Sequence, residues 1–349
     1  MSIVEKAKAE RLHSLILQAK EIVLVSHSHP DGDAVGSVVA LAEYIRSLAG
    51  SRVTPVLPDS PSDNISFIAE NTGGILCHSD DPDGVEKAVA ECDLLICLDF
   101  NSFSRTDALE DVLSESKAFK VLIDHHLHPD TEPFDLVFSL AKISSACELL
   151  FWILMAMPGI DGDASLLSPT ARDALMAGMT TDTNNFANSV FPSTLQMASL
   201  LLAAGTDRDA IVTKLFNECR ENRLRLMGHL LDRELKIIDE LGVAYMVLDR
   251  ATMKHFDIRE GESEGFVNLP LSIGKVRMSI FAREYETTYR VSIRSKKGTS
   301  ANACAVDWFH GGGHENAAGG KIMKTDDGIR CPADVSSYIE RVVREFFGK

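Results

Sequence analysis

Apolar positions change their spacing along the chain, and the change marks two regions. From Glu21 to about Asn217 short apolar runs alternate with helical patterns. EIVLVS (21–26) is continuously apolar without alternation, which predicts a strand covered on both faces. AVGSVVALAEYIRSL follows with helical spacing, and RVTPVL (52–57), DLLICL (93–98) and KVLI (120–123) complete four predicted core strands. This habit predicts an α/β domain whose mainly parallel sheet is flanked by helices. Helices are expected to dominate from Ser145 to Phe216. Among them is SPTARDALMAGM, where Ser168 can cap and Pro169 can occupy the first turn.

The pattern shifts after residue 217. Met227, Leu230, Leu231, Leu235, Ile238 and Leu241 recur every three or four residues on a charged stretch, which predicts a connecting helix over 218–241. VAYMVL, KVRMSIF and YRVSIR then read as antiparallel strands, and helices close the chain near 301–309 and 333–347. The expected organisation is a first domain over 1–217, the connecting helix, and a smaller α+β domain over 242–349.

Composition narrows the function classes. The chain has 349 residues with 35 Lys plus Arg against 51 Asp plus Glu, a formal charge of −16. Coating of long nucleic acid runs on net positive charge and counterion release, so that class is disfavoured. The longest apolar run, Leu149 to Met157, is nine residues, short of the roughly 18 needed to cross a bilayer. It predicts a buried helix, and no membrane partner is expected. The N-terminal stretch lacks the pattern of a secretory signal. Seven cysteines without a CxxC pair fit reduced thiols and a cytoplasmic location.

The candidate chemistry lies in polar clusters at predicted strand ends. Seven of eleven histidines (His27, His29, His125, His126, His128, His310 and His314) fall in three short segments rich in Asp, Gly and Pro. SHSHPDGD (26–33) follows the strand VLVS and precedes a helix, at the strand edge where open α/β sheets place ligands. DHHLH (124–128) follows KVLI in the same manner, Asp99 ends DLLICL, and Asp182 ends a helical pattern. Repulsion among carboxylates gathered in one crevice is costly unless cations sit there. Asp31, Asp33, Asp99 and Asp182 with His27 and His125 suffice for two divalent metals sharing one aspartate. Carboxylate and imidazole ligation without thiolate favours Mn²⁺, with Fe²⁺, Co²⁺ and Zn²⁺ as alternatives. Two such cations suit displacement at phosphorus, because they generate a hydroxide at neutral pH and neutralise phosphate charge.

These residues resemble the DHH phosphoesterases, named for the triplet that stands here as Asp124-His125-His126. HSHPDGDAVGS, the aspartate of ICLDFNS, IDHH and TTDT occur in the family's order. The resemblance implies His27, Asp31 and Asp99 on one metal, and Asp33, Asp99, His125 and Asp182 on the other. It makes His126 a phosphate contact or proton donor, with Asp124 orienting its neighbouring imidazole. His29 and His128 are expected to be exposed loop residues. Asn184 stands where many relatives have Gly, and Asn tolerates the positive φ such a turn needs.

GGGHENAAGG (311–320) resembles the GGGH motif of the DHH-associated C-terminal domain, and VSIRSKKG resembles the family's SxRS strand. Gly311, Gly312, Gly313 and His314, with Arg294 and Ser295, become candidate substrate contacts, and Arg105 a weaker one. Seven basic residues between Leu271 and Ser300 form a candidate clamp. The resemblance implies an active-site cleft between the two domains, where a metal-bridged hydroxide attacks phosphorus and His126 assists the leaving oxygen. The short two-domain architecture is similar to that of oligoribonucleases acting on about two to five nucleotides, many of which also remove the 3′-phosphate of pAp. Relatives hydrolyse cyclic di-AMP or pApA. Pyrophosphatases and polyphosphatases of the family lack the GGGH domain. A RecJ-like single-strand exonuclease and a non-catalytic nucleotide sensor are the alternatives, and the size leaves a homodimer open.

Overall fold

The structure is a computed structural model that describes residues 3–48, 50, 52–70 and 72–348. The chain divides into two compact units, Met1–Glu218 and Cys219–Lys349. In the first, the elements run α1 (Lys6–Gln18), β1 (Glu21–Val25), α2 (Gly32–Ser47), β2 (Arg52–Leu57), β3 (Leu76–Cys77), α3 (Pro82–Glu91), β4 (Leu94–Leu98), α4 (Glu110–Glu115), β5 (Phe119–Asp124), β6 (Leu136–Ser139), α5 (Ala146–Ala156), α6 (Pro169–Asp182), α7 (Pro192–Ala203) and α8 (Arg208–Val212). The four predicted core strands are present. Two further strands, β3 and β6, lie at the sheet edges. Both are too short to show a period of their own, and the neighbouring strand defines them.

The sheet order is β3-β2-β1-β4-β5-β6 and every pairing is parallel. Apolar cover on both faces explains the unbroken apolar runs. In β4, Leu94, Ile96 and Leu98 join the core with α1, α2, α5 and α6, while Leu95 and Cys97 pack on the opposite face with Val85 and Val89 of α3. Each such fully buried Leu or Ile contributes about 2 kcal/mol. The strand order reverses between β1 and β4, and at such a switch point the connections leave in opposite directions and open a crevice at the carboxyl ends.

Helices α2 and α6 meet at glycines. A Cβ on Gly36 would lie 2.6 Å from the Ala174 carbonyl oxygen, and one on Gly178 would lie 2.3 Å from Cys147 Sγ and 3.1 Å from the Asp33 Cα. The two helix backbones are therefore in near contact, which places the start of α2 beside the end of α6. Ser168 caps α6 by accepting from the Ala171 N–H, with Pro169 in the first turn.

The second unit contains α9 (Glu221–His229), β7 (Lys236–Ile238), β8 (Val243–Leu248), α10 (Arg250–His255), β9 (Met278–Glu284), β10 (Thr288–Ser295), α11 (Ala301–Trp308), β11 (Gly312–His314), β12 (Ala317–Met323) and α12 (Pro332–Gly348). Its sheet runs β11-β12-β10-β9-β8-β7. Two expectations change here. The single helix over 218–241 is instead α9, a π-type turn over Leu230–Glu234, and strand β7. Leu226 and Leu230 pack against Met246 and Leu248 on one sheet face, whereas Ile238 packs in the core on the other face. One helical stripe cannot serve both faces, so the periodicity joined two elements. The strands are also not all antiparallel, because β8 pairs with β9 in parallel. The long connection over 249–277 carries the chain back to the starting end, as parallel pairing requires.

All seven cysteines are free thiols. Among the described residues no helix is long and apolar enough to cross a membrane. Gly178→Ala is expected to destabilise the first unit by about 1–3 kcal/mol through overpacking. Urea denaturation measures this, and a midpoint equal to wild type would show that α2 and α6 separate freely.

Candidate metal centre

Three strand ends, the start of α2 with Asp31 and Asp33, and the end of α6 deliver the expected ligands to one place. His27 follows β1, Asp99 follows β4, His125 follows β5, and Asp182 is the last residue of α6. Asp99 sits at φ +63° with its N–H donated to the Ile123 carbonyl at 3.0 Å. A non-glycine residue in this region costs energy that the surrounding structure must hold. The Ser26 hydroxyl donates to the Leu98 carbonyl at 2.8 Å and laces β1 to β4 beneath the site.

The ligand atoms fall into two overlapping sets around Asp99. His27, Asp31 and Asp99 each offer an atom within 4.8 Å of the others, and so do Asp33, His125 and Asp182. Asp99 Oδ2 lies 3.4 Å from His27 Nε2, and Asp99 Oδ1 lies 3.3 Å from His125 Nε2. One carboxylate thus presents an oxygen to each set. Asp182 Oδ2 and Asp33 Oδ2 stand 3.6 and 3.7 Å from the same His125 nitrogen. His27 Nδ1 is 2.9 Å from the Ser28 carbonyl oxygen, so Nδ1 carries the hydrogen and Nε2 faces Asp99.

Each carboxylate has a different support. One oxygen of Asp31 caps α2, accepting from the Asp33 and Ala34 N–H groups at 3.0 Å. Asp33 accepts from the Ala146 and Cys147 N–H groups at 2.6 and 2.9 Å, at the N-terminus of α5, where the helix dipole favours negative charge. Asp124 Oδ1 accepts from His126 Nδ1 at 2.8 Å, so Nε2 is the other polar atom of that imidazole. The Arg105 guanidinium acts electrostatically on His27, and the Arg105 carbonyl accepts from the Ser28 N–H and hydroxyl. His29 and His128 are exposed, and Asn184 adopts φ +46°.

The electrostatics demand compensation. Burial raises the Asp99 carboxyl, but the imidazoles of His125 and His27 outweigh it and hold Asp99 well below its ordinary value. Burial and then the Asp99 charge push Asp33 up to about 7. Asp182 is raised well above the usual carboxylate range, by burial first and then by Asp33, Asp31 and Asp99 despite the opposing charge of His125. Burial lowers His125, yet Asp99, Asp182 and Asp33 together raise it to about 10. Two buried oxygens, Asp99 Oδ1 and Asp124 Oδ2, accept no hydrogen bond among the described residues. Such oxygens are costly when unpaired. A buried oxygen that faces imidazole nitrogens without accepting a well-formed hydrogen bond fits divalent cations of the hard or borderline kind.

Sequence reasoning missed the backbone cradle of Asp33 and the residue beneath it, Glu148. The signal was available, because Ser145-Ala146-Cys147-Glu148 before an apolar run has the S-x-x-E form of a helix start. In the second unit, the candidate substrate contact Ser295 ends β10. Its buried hydroxyl donates to the Thr299 carbonyl and accepts from Asn316 Nδ2. One Nη of Arg294 donates to the Ile293 carbonyl. The glycine run is required by backbone packing: a Cβ on Gly311 would overlap the Gly319 carbonyl oxygen, and Gly313 adopts φ +146°. The Gly311 N–H is already donated to the Ala305 carbonyl. The basic clamp is partly neutralised, with Arg283 on Glu260 and Lys275 on Asp239, while Lys296 keeps its charge and donates to the Ile273 and Gly274 carbonyls.

Known proteins place this arrangement. Residues 21–179 match the DHH family, N-terminal domain, and residues 240–341 match the DHHA1 domain. The solved exopolyphosphatase-related protein from Bacteroides fragilis is 31% identical with a TM-score of 0.89, covering 99% of this chain and 98% of that one. The chain belongs to the DHH family of phosphoesterases. The bifunctional oligoribonuclease and PAP phosphatase NrnA of Bacillus subtilis is 26% identical over 90% of this chain and 94% of its own length. The cyclic-di-AMP phosphodiesterase GdpP of Geobacillus thermodenitrificans is 24% identical over 96% of this chain, which spans 49% of that longer protein.

Metal binding to this DHH site must displace protons. Asp33 at about 7 and His125 at about 10 are both raised above their ordinary values. Metal-free, their protonated forms favour the fold. The Asp33 contribution is lost as pH rises from about 4 to 7, and that of His125 from about 6.5 to 10. The gain in melting temperature on adding Mn²⁺ is therefore expected to grow as pH rises from about 5 to 8. Thermal melts with Mn²⁺ and with chelator test this, and a pH-independent gain would contradict it.

Proposed function

We propose that this DHH-family chain hydrolyses short nucleotide phosphoesters with two divalent cations, Mn²⁺ foremost. The substrates are oligoribonucleotides of about two to five residues, pAp, or pApA and cyclic di-AMP. The observation that carries this reading is Asp99, whose two oxygens face His27 and His125 separately. His27, Asp31 and Asp99 would hold one cation, and Asp33, Asp99, His125 and Asp182 the other. Bound there, the pair lowers the pKa of a water and neutralises charge on phosphate oxygens.

The remaining work belongs to the chain's own side chains. Asp124 holds His126 by Nδ1, which leaves Nε2 to give a proton to the departing oxygen. Arg105, beside His27, pairs with the substrate phosphate. In the second unit Arg294 and His314 grip the rest of the nucleotide, Arg294 through its planar fork of donors. Gly311, Gly312 and Gly313 shape the strand on which His314 stands. Ser295, next to Arg294, supports this turn through Asn316. The net charge of −16 supports short substrates, since a long polyanion would be repelled outside a small local grip. The relatives named as NrnA support the oligoribonucleotide and PAP reading, and the one named as GdpP supports cyclic di-AMP.

Initial rates on an RNA dinucleotide, pAp, pApA, cyclic di-AMP and polyphosphate, each with Mn²⁺ and with chelator, test the proposal. Chelation is expected to stop turnover. Asp99→Ala is expected to lower the rate about a thousandfold or more while its circular dichroism stays wild-type. Near-normal activity in that variant, or turnover of polyphosphate alone, would refute the reading.

A further inference from the structure

Glu148 is fully buried in the third position of α5, where the reaction has no use for it. Its carboxylate accepts from the Ser144 N–H at 3.0 Å, the Ser144 hydroxyl, the Thr194 hydroxyl at 2.7 Å and the Trp152 indole N–H at 3.3 Å. All four donors are neutral. Capping a helix needs only a glutamate reaching the first turn from solvent. Burying a carboxylate completely among neutral donors is costly unless its hydrogen bonds are all met, so this arrangement exceeds what capping requires.

Two routes lead from Glu148, one to the donors that hold Asp33 and one to the far end of the loop that follows Asp182. The first runs through Ser144 and Ser145 to the start of α5. Ser145 Oγ accepts from the Glu148 N–H at 3.0 Å, and the next two N–H groups, of Ala146 and Cys147, hold the two oxygens of Asp33. The second runs through Thr194, whose hydroxyl accepts from the Phe191 N–H at 3.0 Å. That bond caps the start of α7, at the far end of the loop that leaves Asp182 and contains Asn184, Asn185, Phe186 and Ser189 at positive φ. Neither route reaches His27, and the first touches Asp31 only through the Asp33 backbone N–H, from which Asp31 accepts, not through the Asp33 carboxylate.

We infer that Glu148 is a positioning residue for the metal held by Asp33, His125 and Asp182, fixing Asp33 through the start of α5 and anchoring, through Thr194, the loop that follows Asp182. This rests on the two-metal reading given above. Outer-shell partners commonly change metal affinity by about 10- to 100-fold. A residue supporting only one of two sets should weaken one site and spare the other. A merely stabilising residue would affect both alike.

The test uses the full chain and Mn²⁺ alone, with calorimetric titration and electron paramagnetic resonance. Wild type is expected to bind two equivalents and show a spin-coupled pair. Glu148→Gln keeps the shape but turns an amide N–H₂ toward donors. Thr194→Val removes one hydrogen bond should the first variant not fold, and Thr194→Ser restores it. In the first two variants one equivalent should bind as in wild type while the other weakens about 10- to 100-fold, with a mononuclear spectrum at one equivalent. Thr194→Ser should match wild type. Two unaltered sites in folded Thr194→Val, or equal weakening of both, overturns the inference. No Mn²⁺ binding by wild type would instead overturn the two-metal reading, and this inference with it.

Discussion

Carboxylates crowd the buried Asp99, and the first unit is organised around making that tolerable. Asp99 itself is 2% exposed and Asp33 1% exposed. Their repulsion is met in three ways. Imidazoles of His27 and His125 keep Asp99 ionised. Backbone N–H groups at the start of α5 hold Asp33, and those at the start of α2 hold Asp31. Burial and the neighbouring carboxylates raise Asp33 and Asp182, so that protons neutralise them in the absence of cations. Divalent cations do the same job with more charge per site.

The parallel sheet makes this possible because its strands all end on one side. His27, Asp99 and His125 arrive from three consecutive neighbours in the order β1-β4-β5, spaced by the roughly 4.8 Å between strands. The helices then bring the rest. Asp33 and Asp182 belong to different helices, and the glycines at 36 and 178 let those helices approach until the backbones touch. Any larger side chain there would move the two carboxylates apart before it damaged either one directly.

The second unit shows how one glycine pattern can satisfy two demands. Gly311 and Gly320 stand where a Cβ would strike the carbonyl oxygens of Gly319 and Phe309, so packing alone requires them. Asn316 then joins the turn to the end of β10, donating to the Ser295 hydroxyl and to the carbonyls of Lys296 and Thr299. The result is a rigid β11–β12 hairpin carrying His314 beside the strand that carries Arg294.

The chain's linear order already contained the four central strands, the both-faces burial of β1, the cap on α6 and all six candidate ligands. These follow from local chemistry: apolar runs, turn residues and charged groups at strand ends. Tertiary structure decided the rest. The edge strands β3 and β6 exist because a neighbour pairs with them, and the expected helix over 218–241 divides because its apolar residues serve opposite faces of a sheet. Glu148, the α5 cradle and the inward turn of Ser295 depend on which N–H and hydroxyl groups meet across more than 40 residues for Thr194 and more than 110 for Asp33. Hydrogen-bond partners distant in the chain leave no periodic trace, so only the folded molecule specifies them.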